Sequence, residues 1–370
     1  MIKNKIKASL LFHSYFDTLG FHNGKWEFNF GSSEIKNDYQ GAFIWTSIMH
    51  EFFSLGGFSN IDITSWNSSD DTILNIASGY AMIHDGNDKQ FIKEYTKVIN
   101  LVSNEIRGPG FCTIQNLNKI KKTKKINSLK YKKTMGGNGA AMRTCSIGLI
   151  LCNENDIDEL IKQSIIASRI THNYYLGFLG GLLSALFTNF AMRNIQPWLW
   201  IDELLTIYNN GAIDRYMETT NIYDEYNQDK DKFFNKFEEY KEKRLGNFIN
   251  KHKNFTDYKE RLYQLNQYNH YLKPFDMSKF GSSGLSVCIV AYDALLNSIT
   301  GTLDKPQYSL DSLIFFSTLH FGDNDTTGAI AGAWYGALNG FNNFNVERFH
   351  QLEFYNDLNK LSKKIFKKIL

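Results

Sequence analysis

Two acidic motifs, about 250 residues apart, constrain this chain more than anything else in it. The first is Ser69-Asp70-Asp71-Thr72 and the second is Gly322-Asp323-Asn324-Asp325-Thr326-Thr327. Each stands where a helix should begin, and each sets two carboxylates beside a hydroxyl. Ser69 is a good N-cap residue, and Ile73, Ile76, Ala77, Tyr80 and Ile83 repeat behind it at helical spacing. Helix N-termini favour anions, so carboxylates placed there stay ionised. Four of them on one site would repel each other unless cations stood between them, and an all-oxygen donor set suits Mg²⁺ or Ca²⁺. Taken singly, either motif reads as an N-cap with acidic first-turn residues. Together they predict a metal centre, and therefore a fold that joins the two ends of the sequence.

The remaining signals are helical. The chain has 370 residues and only four prolines, which favours long uninterrupted helices over a turn-rich β fold. Ile157 to Ile170 has amphipathic spacing. Thr327 to Leu338 reads TGAIAGAWYGAL, with Gly328, Gly332 and Gly336 every four residues along one face. Glycine costs a helix about 1 kcal/mol relative to alanine, a cost that makes sense where another helix must approach closely. Gly340 is placed to cap that helix. Tyr174 to Met192 lacks charge and nearly has the length of a membrane span, but its small residues suit a buried helix of a soluble protein, so no membrane span is expected. Leu358, Leu361, Ile365 and Ile369 lie on one face of a lysine-rich terminal run, as expected of a helix docked on the domain. A charged helical elaboration is expected at about 201–271, on a single domain spanning 1–370.

A formal charge of +3 gives no reason to expect a nucleic-acid partner. The four cysteines (Cys112, Cys145, Cys152, Cys288) form no CxxC pair, which argues against a disulfide scaffold or a zinc site and suits the cytoplasm. Met1 to Phe16 has lysines and a short apolar stretch, but His13 and Ser14 interrupt it and no cleavage site follows, so it is not read as a leader. Lys119 to Lys133 carries eight lysines and reads as a solvated loop.

Three further groups could carry chemistry. Met135 to Arg143 (MGGNGAAMR) is a glycine-rich turn whose amides could cradle a phosphate, and it could also be only a turn. Arg107-Gly108-Pro109-Gly110 is a second flexible turn with a cation attached. Glu27, set among aromatics in Asn23–Phe28 (NGKWEF), could have a raised pKa and serve as acid or base, although a surface glutamate in a loop is the simpler reading. His172 alone reads as structural, and there is no HExxH motif or nucleophile elbow.

These pieces together resemble the ADP-ribosylglycohydrolase family. The resemblance runs through NGKWEF, SDDT, RGPG, GGNGAAMR, SRITH (Ser168–His172), the apolar run Gly177–Ala191, GSSG (Gly281–Gly284), AYDALL (Ala291–Leu296) and GDNDTTGAIAGAWYG (Gly322–Gly336). SDDT and the last motif are specific for the family, and NGKWEF points to its arginine-specific branch. The resemblance implies an all-α fold, a single compact orthogonal helical bundle with a two-Mg²⁺ site at its centre. It implies Ser69, Asp70, Asp71, Asp323, Asp325 and Thr326 as metal ligands, one aspartate being shared. It places a diphosphate near Gly108, Gly110, Gly137 and Asn138, puts His172 near the adenosine end, and lays Glu27 over the scissile ribose. The implied activity is removal of ADP-ribose from arginine side chains of mono-ADP-ribosylated proteins by a monomer, with Asp70, Asp71 and Glu27 as the groups that handle protons. Two other readings compete: a different linkage, such as serine-bound ADP-ribose, and a catalytically silent ADP-ribose binder. Three departures from the family pattern bear on substrate fit and activity, and the first two motivate the last reading. Phe16 replaces a glycine beside the presumed site, Leu285-Ser286-Val287-Cys288 replaces His-Asp-Ala-Pro, and Asn173-Tyr174-Tyr175 follows Thr171-His172 where His-Pro-Thr is usual.

Overall fold

The computed structural model describes residues 2–28, 38–246, 249 and 281–370. Among the described residues the chain is all-α apart from one antiparallel hairpin, Ile299–Thr302 with Lys305–Tyr308, and an isolated bridge between Gly137 and Ser283. The apolar segment singled out as a span candidate is the central helix, Tyr175–Met192, and all of its residues are buried. Helices Cys145–Ile150, Ile157–Arg169, Gly284–Asn297 and Asn324–Asn339 pack around it. Its glycines set the closest approaches. A Cβ at Gly180 would lie 2.4 Å from the Gly284 carbonyl oxygen, and one at Gly284 would lie 2.1 Å from that of Leu176.

The glycine stripe meets the partner it requires. Gly328, Gly332 and Gly336 of the Asn324–Asn339 helix face Phe16, Phe12 and Ala8 of the N-terminal helix, Ile2–Phe21. Added Cβ atoms at Gly332 and Gly336 would stand 2.7 Å from the Phe12 oxygen and 2.6 Å from the Ala8 carbonyl carbon. At the other end of this crossing, a Cβ at Gly20 would be 2.5 Å from the Asn324 oxygen. The two helices therefore touch backbone to backbone along their length. Gly340 closes the second of them at φ +64°, its amide bonded to the Gly336 oxygen. The terminal helix, Tyr355–Ile369, docks on the N-terminal helix and on the Asp70–Ile83 helix, burying Leu358, Leu361 and Ile365 and leaving Ile369 half-buried.

The charged region begins with helices Trp200–Asn209, Ala212–Met217 and Tyr223–Tyr240. Their charged faces meet solvent, while Phe233, Phe234, Phe237 and Tyr240 are buried. The Tyr240 hydroxyl donates to Asp293 at 2.5 Å and Arg244 Nε donates to the same carboxylate at 2.9 Å. Residues 247–248 and 250–271 of this elaboration lie outside the described residues.

Candidate active site

Both acidic motifs start helices, and the helix packing brings those starts together. Ser69 caps the Asp70–Ile83 helix, its Oγ accepting from the Asp71 amide at 3.1 Å. Asp323 caps the Asn324–Asn339 helix and accepts from the Thr326 amide at 3.3 Å. Asp70, Asp71, Asp323, Asp325 and Thr326 are all buried and all line one cavity of about 540 Å³. Glu27, Gly108, Gly110, Gly137, Asn138 and His172 line the same cavity. The cavity gathers every residue proposed from the sequence except Ser69, which holds the Asp71 amide from just behind.

The carboxylates form two overlapping groups. Asp17, Asp71 and Asp325 each offer an oxygen within 4.8 Å of the others, and so do Glu27, Asp323 and Asp325. Asp325 belongs to both groups. Asp70 stands outside both, its Oδ2 and that of Asp71 buried with no hydrogen-bond partner. Burial, reinforced by the neighbouring carboxylates, pushes the pKa values of Asp70, Asp71 and Asp325 well above the ordinary range. Burial raises Asp323 as well, against hydrogen bonds from Thr326 and Asn138 that hold it down. Arg143 is the cation that offsets the charge on Asp70. Crowded, desolvated and incompletely bonded oxygens are what a hard divalent cation satisfies, so these residues fit one.

Asp17 is the member that sequence reasoning missed. Burial raises its pKa to about 6. It accepts from the Ser69 and Thr72 amides, each at 3.2 Å, and from the Thr72 hydroxyl. It thus acts as an anion at the N-terminus of the Asp70–Ile83 helix as well as a candidate ligand. No capping or spacing pattern marks it. The sequence places Phe16, one residue away, beside the presumed site, and there the structure corrects the expectation. Phe16 does not line the cavity. It is fully buried against Gly328 and Gly332 in the helix crossing. Leu285 and Cys288 are likewise core residues, and Asn173 is buried, bonded to Arg169 and the Leu129 carbonyl. The three departures from the family pattern thus stand outside the cavity lining.

Two turns also differ in detail from their sequence reading. The cation of RGPG turns away from the cavity. Arg107 makes a two-pronged pair with Glu353, at 2.6 and 2.7 Å, and donates to the Ser68 carbonyl at 2.8 Å. Glu353 also accepts from the Ser68 amide at 3.2 Å, so one ion pair ties this turn to the residue preceding SDDT. Gly108 is left at the cavity wall with φ +61°, where a Cβ would meet Glu27 Oε2 at 2.8 Å. In the second turn, the Asn138 amide donates to the Ser282 carbonyl at 3.0 Å, and its side-chain nitrogen donates to Gly281 O and Asp323 Oδ2 at 2.9 and 2.8 Å. Asn138 therefore orients an aspartate while Gly137 and Gly139 form the wall. Of the lysine-rich stretch, Lys132 reaches the cavity lining.

The ADP-ribosylglycohydrolase family profile matches residues 2–370. The chain belongs to this family. It is a glycohydrolase family that acts on ADP-ribose linkages and depends on metal. The chain is 33% identical over 367 residues to an ADP-ribosyl glycohydrolase of Acanthamoeba polyphaga mimivirus, covering 95% of this chain and 68% of that one. It is 32% identical over 394 residues to ADP-ribosylhydrolase ARH1 of Dictyostelium discoideum, covering 98% and 94%. A solved structure described as an ADP-ribosylglycohydrolase-related protein complex superposes with a TM-score of 0.58 over 100% of this chain and 99% of that one. At 14% identity that likeness concerns the fold alone. For a glycohydrolase with Phe16 in its core, Phe16→Ala should cost about 3–5 kcal/mol of stability and leave KM unchanged. A shifted KM with unchanged denaturant midpoint would put the ring back at the substrate.

Proposed function

We propose that this protein hydrolyses the N-glycosidic bond between ADP-ribose and arginine side chains of mono-ADP-ribosylated proteins, with two Mg²⁺ ions bound by Asp71, Asp323 and Asp325 together with Ser69, Asp70 and Thr326. Asp17 joins this set. The observation that carries the reading is the position of Glu27, the acid of the NGKWEF motif, within ligand distance of Asp323 and Asp325 at the wall formed by Gly108. When bound, the cations would orient the ribose hydroxyls and lower the pKa of a water.

The chain's own residues do the rest. The Phe111–Thr123 helix begins at Gly110 with no side-chain cap, so its first amides are available to a diphosphate lying along Gly108 and Gly110. Gly137 leaves room for the backbone to approach the same ligand. The attacking water adds to the anomeric carbon as the bond to the guanidine nitrogen breaks through an oxocarbenium-like state. Asp70, whose buried Oδ2 has no hydrogen-bond partner in the structure, accepts the water's proton. Glu27, at the half-buried rim, delivers a proton to the departing guanidine.

The test is release of ADP-ribose from an ADP-ribosylarginine peptide, with Mg²⁺ and with excess EDTA, beside an ADP-ribosylserine peptide. Mg²⁺-dependent release from arginine alone is the expected result. Release from serine alone would reassign the linkage, and binding of ADP-ribose without turnover of either peptide would make the protein a silent binder.

Metal binding should also register in stability. A carboxyl whose pKa is raised on folding costs stability as pH climbs from its unfolded value through its folded one. For Asp17 that window runs from 3.8 to about 6, and burial among like charges raises Asp70, Asp71 and Asp325 in the same direction. A cation that neutralises the cluster offsets this cost, and protons compete with it. The rise in Tm produced by Mg²⁺ should therefore be large at about pH 7.5 and small at about pH 5. A shift of equal size at both values in differential scanning fluorimetry would place the ion elsewhere.

A further inference from the structure

A neutral histidine donates from one ring nitrogen and accepts at the other, so its tautomer decides what it can hold. His172 is 3% exposed and lines the cavity. Its Nδ1 lies 2.7 Å from the Thr171 hydroxyl. That hydroxyl oxygen also takes a hydrogen bond of 2.6 Å from Arg143 Nη2, which gives its other hydrogen to the Ala167 carbonyl at 2.9 Å. A guanidinium nitrogen only donates. Thr171 Oγ1 is therefore the acceptor from Arg143, and its single proton has no other acceptor among the described residues than His172 Nδ1. A proton on Nδ1 would leave the Thr171 hydroxyl buried and unsatisfied, at the full cost of an unmade hydrogen bond. Burial, with the Arg143 charge beside it, also keeps the ring neutral by lowering its pKa to about 3.

The one ring proton then sits on Nε2, which makes no hydrogen bond among the described residues. The ring edge carrying it rides on the glycine wall, where a Cβ at Gly139 or Gly137 would stand 3.1 or 3.3 Å from Nε2. Arg143 itself is fully buried, with its guanidinium 4.6 Å from the Tyr95 ring centroid, so it acts from behind the cavity wall.

We propose that Arg143, acting through Thr171, is a positioning residue that locks His172 as an Nε2–H donor into the cavity, where it holds an acceptor atom of bound ADP-ribose. The ligand half of this proposal rests on the function proposed above. The tautomer half does not.

A long-range ¹H–¹⁵N correlation spectrum of the full-length protein at neutral pH, without ligand, reads the tautomer directly. The expected result is Nε2–H in the wild type and in Thr171→Ser, with loss of the single tautomer in Thr171→Val. A wild-type ring protonated on Nδ1 would overturn the lock whatever the cavity binds. Calorimetric titration with ADP-ribose tests the other half. Thr171→Val should bind about tenfold more weakly, the worth of one hydrogen bond, while Thr171→Ser stays close to wild type. Equal affinity in wild type and Thr171→Val would overturn the donor role. A wild type that shows the Nε2–H tautomer but does not bind ADP-ribose would instead remove the proposed ligand.

Discussion

Asp325→Asn is expected to abolish measurable turnover and, at the same time, to raise the Tm of the metal-free protein. The two effects have one cause. Asp325 is the carboxylate common to both oxygen groups, so its loss weakens both at once. Removing even the partners behind a metal's ligands costs about 10–100-fold, so losing a doubly used carboxylate should cost well over about a hundredfold in kcat/KM. Without the cation, however, Asp325 is a liability. It is buried, and Glu27, Asp323 and Asp71 press on its charge. Asparagine keeps the shape and removes that repulsion. Initial rates with Mg²⁺ and melting curves in EDTA together decide the matter. Wild-type rates would sink the metal site, and a lowered Tm in EDTA would mean that Asp325 is a structural acceptor. Asp71→Asn should act in the same direction, its carboxylate being shared with Asp17 and Asp325.

Gly332→Val should cost about 3 kcal/mol or more, near the upper range for overpacking a core. The atom that would meet the new side chain is the Phe12 carbonyl oxygen, 2.7 Å from an ideal Cβ, and backbone in a helix cannot rotate aside as a side chain can. The N-terminal helix would have to move bodily outward. That helix carries Asp17, and through it the amides of Ser69 and Thr72. The variant should therefore lose Mg²⁺ affinity along with stability, which an equilibrium denaturation curve run with and without Mg²⁺ would reveal. Wild-type behaviour in both would mean that the helices are not in backbone contact.

The acidic motifs and the glycine stripe are legible in the sequence for one physical reason. SDDT, GDNDTT and the glycine stripe write their roles in local patterns: capping residues, acidic first turns, a four-residue period. Their local structure follows from nearby atoms, so it can be read from nearby letters. The stripe even announced that a close partner helix must exist, though not which one. Asp17 offers no such pattern. It lies late in a helix, and what makes it part of the site is contact with residues 52 and 55 positions away. Arg107 shows the reverse failure. A cation on a flexible turn resembles a phosphate ligand until Glu353, 246 residues later, is found to occupy it. Asn138 divides in the same way: its turn was visible, but the hand-off of its side chain to Asp323, 185 residues away, was not. Long-range pairing of polar side chains leaves no periodicity behind in the sequence.

The backbone-to-backbone crossing of the N-terminal helix has a consequence for how the chain is made. A ribosome emits this sequence from its first helix onward at about 5–20 residues per second. Phe12, Phe16 and Asp17 emerge early, yet the helix they pack on, Asn324–Asn339, is translated some 300 residues later. For that interval an apolar, aromatic helix face waits without its mate. Contacts of such long sequence separation also form slowly once both partners exist. The nascent chain is thus a natural client for chaperones that shield apolar helices, and folding intermediates that lack the later helix should aggregate through the Phe12 face.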